Sequence, residues 1–135
     1  QHGWAYGAHP RRLLVFALGG EAELPETPGP IFAKPLDDPS FEIDAGLAEK
    51  GEDLWGRTCF WCHGPAAVAS GGAPDLRSSG VMFDIEALKK VVLGGQRISR
   101  GMPSYDGQLD ESDVLTLQHY VRLKARNSLS KVAAN

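Results

Sequence analysis

The chain has 135 residues and a formal charge of −3, from 14 basic and 17 acidic side chains. That length fits one compact domain with an appendage, and the lack of a basic stripe argues against nucleic-acid binding. No stretch reaches the roughly eighteen apolar residues of a membrane span.

Residues 1–20 mix aromatics and glycines with one β-like run, Leu13 to Leu18. Arg11-Arg12 ahead of this run imitates a signal peptide. The run is short, ends at Gly19-Gly20 and follows Trp4, Tyr6 and Pro10, so it reads as a strand. The chain opens on Gln1, which suits a processed product or a piece of something longer. Residues 21–40 carry five prolines, at 25, 28, 30, 35 and 39. Proline lacks an amide donor and fixes φ, so this stretch reads as an extended, semi-rigid linker.

Residues 41–127 read as a small helical domain, with 128–135 as a frayed tail. The first helix is expected from Ile43 to Arg57, capped by Asp44, with Leu47, Leu54 and Trp55 on one face. A loop of small residues follows, from Gly64-Pro65 to Gly71-Gly72-Ala73-Pro74. Glycines there let backbone approach a flat ligand. A second helix is expected from Ile85 to Leu93, capped by Asp84 and stopped by Gly94-Gly95. The last should start at Asp110 or Ser112, bury Val114, Leu117, Val121 and Tyr120, and end near Arg126.

Between the first two helices lies Cys59-Phe60-Trp61-Cys62-His63. Two cysteines two residues apart, with a histidine next, are spaced to attach a c-type haem. The thiols bond to the porphyrin vinyl groups and the imidazole takes one axial position on the iron. A four-ligand zinc site would need a second ligand pair. The chain has only these two cysteines, and His2, His9 and His119 are scattered singly. A redox dithiol belongs in a βαβ context that is missing here. Both cysteines are used by the motif, so no structural disulfide is expected. Attachment of c-type haem takes place on the oxidising side of a bacterial membrane, so a periplasmic location is expected.

The second axial position separates electron transfer from ligand chemistry. Thioether sulfur favours ferrous iron and raises the potential. Of the two methionines, Met102 lies in the loop Arg100-Gly101-Met102-Pro103, where a thioether can approach without breaking helical bonds. It is the favoured ligand, with Met82 or an open site as the alternatives. Met82 reads as packing. The other nitrogen of His63 should bond a carbonyl, and Pro74 is the candidate. Arg77 reads either as a propionate partner or as a solvated arginine. Trp61 and Phe60 are expected to cover the porphyrin or the surface. No catalytic residue is expected.

From Gly51 to Tyr120 the chain resembles the class I cytochrome c fold. Gly51 and Trp55 stand where that family uses a small residue and an aromatic at the crossing of its terminal helices, and Leu117 and Tyr120 match the partner face. The implied fold is all-α: a class I cytochrome c-like domain around one covalent haem, preceded by an extended strand and a proline-rich linker. A narrower resemblance rests on Cys59–Gly64, Gly71-Gly72-Ala73-Pro74-Asp75-Leu76-Arg77, Val92-Leu93-Gly94-Gly95, Arg100-Gly101-Met102 and Tyr120-Val121. These look like the C-terminal haem domain of quinohaemoprotein alcohol dehydrogenases. Gly3-Trp4, Tyr6-Gly7 and Pro10 to Leu18 look like the last strand region of their propeller, which holds pyrroloquinoline quinone (PQQ) and calcium. The Gly-Gly-Ala-Pro-Asp loop is one residue shorter before the proline than that family's pattern.

This resemblance implies thioether bonds at Cys59 and Cys62, axial roles for His63 and Met102, a carbonyl role for Pro74 and a propionate contact for Arg77. It implies electrons arriving from a PQQ domain and leaving to a copper protein, another cytochrome or a membrane quinone system. No residue here could build the quinone site, so the chain alone should not dehydrogenate anything. The other readings are an independent periplasmic cytochrome and a haem peroxidase or sensor with an open iron site. An orphan strand and long linker argue against the free cytochrome.

Overall fold

The computed structural model describes residues 13–26, 34–68 and 73–133. The propeller-like opening up to Arg12, the linker prolines 28 and 30, and Gly71-Gly72 lie outside them. Among the described residues four α-helices build the body: α1 Ala45–Thr58, α2 Phe60–His63, α3 Ile85–Val92 and α4 Glu111–Ala133. Single 3₁₀ turns at Pro65–Ala67, Leu76–Ser78, Gly80–Phe83 and Ile98–Arg100 join them.

Each long helix starts on an aspartate. Asp44 accepts from the Leu47 amide at the head of α1, and Asp84 accepts from the Glu86 and Ala87 amides at the head of α3. Asp110 accepts from the Asp113 amide at 2.9 Å, while Asp113 accepts from the Asp110 amide at 3.1 Å. The last pair is a reciprocal capping box, satisfying two amides that the first turn leaves bare. α4 runs on past the expected end at Arg126. The segment 127–133 contains neither glycine nor proline, and Ser128 accepts from Arg77 at 2.9 Å, which holds that turn.

The core forms where α1 crosses α4. Trp55, Leu54, Val114, Leu117, Tyr120 and Val121 are buried there, and the Trp55 and Tyr120 rings stand 5.4 Å apart. Gly51 lets the helices touch: a Cβ at this position would lie 2.8 Å from the Tyr120 Cβ and closer still to the Thr116 carbonyl. α3 closes the core from the side with Leu88 and Val92.

Leu13 to Leu18 does not form a strand. No strand ladder exists among the described residues, and Leu13, Val15, Phe16 and Leu18 are almost fully exposed. A lone strand has no edge to pair with, so its backbone donors go to solvent.

The end of the expected linker behaves differently. The Leu36 amide donates to the Arg77 carbonyl at 2.8 Å. Arg122 on α4 is 1% exposed, pairs with Asp37 at 2.9 Å and stacks over Phe83 at 3.8 Å. Arg126 holds the other Asp37 oxygen at 2.8 Å and donates to the Asp38 and Phe41 carbonyls. The Arg126 hydrogen bond and both arginine charges keep the Asp37 carboxyl below the usual range, against the opposing effect of burial.

His119, also on α4, is 8% exposed, and its Nδ1 accepts from the Asp44 amide at 3.0 Å. That bond needs an unprotonated Nδ1. Burial lowers the pKa of His119 from 6.5, only partly offset by Asp44. The unfolded chain therefore binds the proton first as pH falls, and the folded state loses stability below about pH 6.5 until the native imidazole also titrates. The urea midpoint should drop between pH 7.5 and 5.5, and it should drop less in His119→Gln. Equal slopes in the two proteins would refute this.

Candidate haem site

α1 delivers the motif. Its last turn runs into Cys59, and a one-turn helix, α2, then carries Trp61, Cys62 and His63. The His63 amide donates to the Cys59 carbonyl at 2.9 Å, so the first cysteine and the histidine are stacked one helical turn apart. The two cysteines are not joined in a disulfide; Cys59 is partly buried and Cys62 exposed. Burial pushes the Cys59 thiol up, with a smaller opposing effect from the Thr58 hydroxyl 3.3 Å away.

His63 is 8% exposed, and its Nδ1 lies 3.1 Å from the Pro74 carbonyl oxygen. With Nδ1 as the donor to a carbonyl, Nε2 carries the lone pair a metal requires. Burial keeps the imidazole basicity low, which favours the neutral form that ligates. The ring also stands 6.0 Å from Trp55. Trp55 Nε1 donates to the Gly64 carbonyl at 2.9 Å. Gly64 has φ 77° and ψ 171°, a conformation only glycine adopts without strain. It turns the chain sharply away from His63.

Met102 follows Gly101, whose φ of 88° closes the turn Ile98–Arg100. The Met102 amide donates to the Arg97 carbonyl at 3.2 Å. Its side chain packs on the hydrophobic core, as Cys59 does. Leu76, Val81, Ile85, Leu93, Tyr105 and Leu109 also touch the core while remaining partly accessible. Two thiols, a buried imidazole, a thioether on the core and apolar side chains are the donor set and surroundings that a covalently held porphyrin would require. Met82 is 4% exposed and belongs to the core itself.

Two sequence candidates sit less centrally. Arg77 donates to both Asp75 oxygens, at 3.0 and 2.6 Å, and to Ser128 at 2.9 Å. Three of its five N–H groups are thereby engaged within the protein. Trp61 is 82% exposed, edge-on to Phe60 at 5.5 Å. Tyr105 was not singled out from sequence. Its hydroxyl donates to the Thr58 carbonyl at 3.0 Å, and its amide donates to the Val92 carbonyl at 2.9 Å. Burial first, then the Cys59 and Cys62 thiols, push its pKa up, so it remains a donor at neutral pH. An aromatic three residues after a loop methionine was the available signal.

Residues 46–121 match the family described as Cytochrome C oxidase, cbb3-type, subunit III. The chain belongs to this cytochrome c family. Its curated relatives include quinohemoprotein alcohol dehydrogenase ADH IIB of Pseudomonas putida, 36% identical over 111 residues, covering 82% of this chain and 16% of the relative. The lupanine 17-hydroxylase (cytochrome c) of a Pseudomonas species is 37% identical over 118 residues, covering 86% of this chain and 16% of the relative. The 1-butanol dehydrogenase (cytochrome c) of Thauera butanivorans is 31% identical over 113 residues, covering 83% and 16%. This cytochrome thus spans about a sixth of the length of those relatives. It is an all-α, class I-like cytochrome c domain whose cofactor is covalent haem c and whose role is electron transfer. Among the described residues no helix is long and apolar enough to cross a membrane.

Proposed function

We propose that this cytochrome is the electron outlet of a PQQ-dependent alcohol dehydrogenase. Cys59 and Cys62 would tether the haem, His63 and Met102 would hold its iron, and electrons would pass from a PQQ domain to a respiratory acceptor in the periplasm. The observation that carries the ligand set is the His63 ring. It is buried inside a haem-attachment helix and held through Nδ1 by Pro74, which leaves Nε2 for iron.

When bound, haem c supplies a one-electron ferric/ferrous couple. The protein does the rest. Pro74 fixes the imidazole tautomer and ring angle. The Met102 thioether would favour the ferrous state and close the site to small ligands. Arg77, with three of its N–H groups engaged by Asp75 and Ser128, would offer the remaining two to a propionate. Trp61, far out on α2, covers the outer face of the attachment segment and not the core. The exposed apolar run Leu13–Leu18 supports a partner domain that covers it. The names of the relatives supply that partner's class, a quinone-dependent alcohol dehydrogenase.

A pyridine haemochrome assay with reduced and oxidised spectra tests the reading. One covalent, low-spin haem is expected in both redox states. Met102→Ala should abolish the long-wavelength sulfur-to-iron band of the ferric protein. It should also lower the potential by a substantial part of the roughly 0.8 V that axial ligands span. An unchanged ferric spectrum would remove Met102 from the iron. Rapid binding of carbon monoxide by the unsubstituted ferrous protein would favour an open site.

A further inference from the structure

We propose that the Tyr105 hydroxyl is a latch: it pins the loop that carries Met102 to the segment that carries the haem cysteines, and so keeps the Met102 sulfur on the iron. The proposal rests on Met102 as the axial ligand. It deepens that reading by naming the group that holds the ligand in place.

The loop from Arg97 to Leu109 is fastened mainly to the end of α3. Ser104 Oγ donates to the Leu93 carbonyl, and the Tyr105 amide donates to the Val92 carbonyl at 2.9 Å. The Met102 amide bonds back within the loop, to the Arg97 carbonyl at 3.2 Å. These contacts hinge the loop on α3 and do not set its distance from the Cys59–His63 segment. The Tyr105 hydroxyl does cross that distance. It reaches the carbonyl of Thr58, the residue just before Cys59, at 3.0 Å. Two residues of loop, Pro103 and Ser104, separate the latch from the methionine, too few for the two to move independently. Thr58 is itself held, since its hydroxyl donates to the Leu54 carbonyl at 2.7 Å. The latch therefore closes on the rigid end of α1 and not on a mobile loop.

Tyr105 is a positioning residue: it touches neither iron nor any reacting atom, and acts through Met102. Removing the hydroxyl leaves the ring packed on the core but takes away the hydrogen bond that fixes the loop against the end of α1. The thioether then leaves the iron more often, while the helices stay folded.

The test compares the haem-loaded protein with Tyr105→Phe. Two readouts are used: the rate at which the ferrous form binds carbon monoxide, and the temperature at which the ferric sulfur-to-iron band fades, set beside helix melting by circular dichroism. The substitution should leave haem content and helix melting near those of the parent. Carbon monoxide binding should quicken roughly tenfold, the scale one hydrogen bond can hold, and the band should fade well below the helix transition. Identical binding rates and fading temperatures in both proteins would overturn the latch while leaving Met102 as ligand. A variant that takes up no haem would also overturn it, because the hydroxyl would then be a folding determinant. A parent protein with no sulfur-to-iron band would overturn Met102 itself, and the latch with it.

Discussion

Gly51→Ala should unfold this cytochrome or lower its unfolding free energy, read from the urea midpoint at constant slope, by about 3 kcal/mol. In an unencumbered helix the change would stabilise by about 1 kcal/mol, because alanine loses less backbone freedom. Here the new methyl carbon meets backbone. The Thr116 carbonyl carbon would lie 2.7 Å away and the Tyr120 Cβ 2.8 Å away. Neither belongs to a flexible tip that can swing aside, so α1 and α4 must move apart. Overpacking typically costs about 1–3 kcal/mol, and separating the two helices also opens the Trp55–Tyr120 contact. Against a total stability of about 5–15 kcal/mol, that is a large share. Gly56→Ala, on the exposed side of the same helix with nothing within 4 Å of the new carbon, should gain about 0.5–1 kcal/mol. Equal midpoints for the two variants would show that the crossing is softer than its geometry implies.

The second large effect is expected at Asp37. Asp37→Asn leaves Arg122, 1% exposed, with its charge in the core and without a counter-ion. Removing one partner of a buried pair costs about 3–5 kcal/mol. Asp37 is itself 16% exposed and shared with Arg126, so the lower end, about 3 kcal/mol, is expected. Arg122→Met should cost less. It removes the buried charge, and Asp37 keeps Arg126. What it loses is the stacking on Phe83, worth about 1–2 kcal/mol. Urea unfolding at constant slope should rank the parent first, then Arg122→Met, then Asp37→Asn. The reverse order would make the stacking, and not the ion pair, the stronger anchor. The carboxylate effect has a definite sign. Because its folded pKa is depressed, Asp37 stabilises fully above its ordinary value near 3.8 and progressively less as pH falls through the lowered one.

What could be read from the chain was local. Asp44, Asp84 and Asp110 announce helix starts because an N-cap interacts with amides two or three residues on. The haem motif is readable because its residues lie within five positions, and Met102 is a candidate ligand because a loop thioether can approach a metal without breaking helical bonds. Contacts between distant residues were not readable. Asp37 falls in a stretch that proline content marks as linker. Only the fold shows that α4 presents two arginines to it, 85 and 89 positions later. His119 looked like a stray histidine until the start of α1 was placed against it. Tyr105 gave no sign of reaching Thr58, 47 positions earlier. The end of α4 was misplaced for a simpler reason. Basic residues near Arg126 suit a helix terminus, but Arg126 is spent on Asp37, Asp38 and Phe41, and helix-compatible residues follow.

The close crossing at Gly51 also decides which contact of the fold is hardest to reach. It joins α1 to Thr116 and Tyr120, 65 and 69 positions along the chain, so no neighbouring segment can form it. The entropy of closing that span must be met before the packing rewards it. The attachment segment Cys59–His63 continues directly from α1. It is therefore only as firmly held as this one long-range crossing.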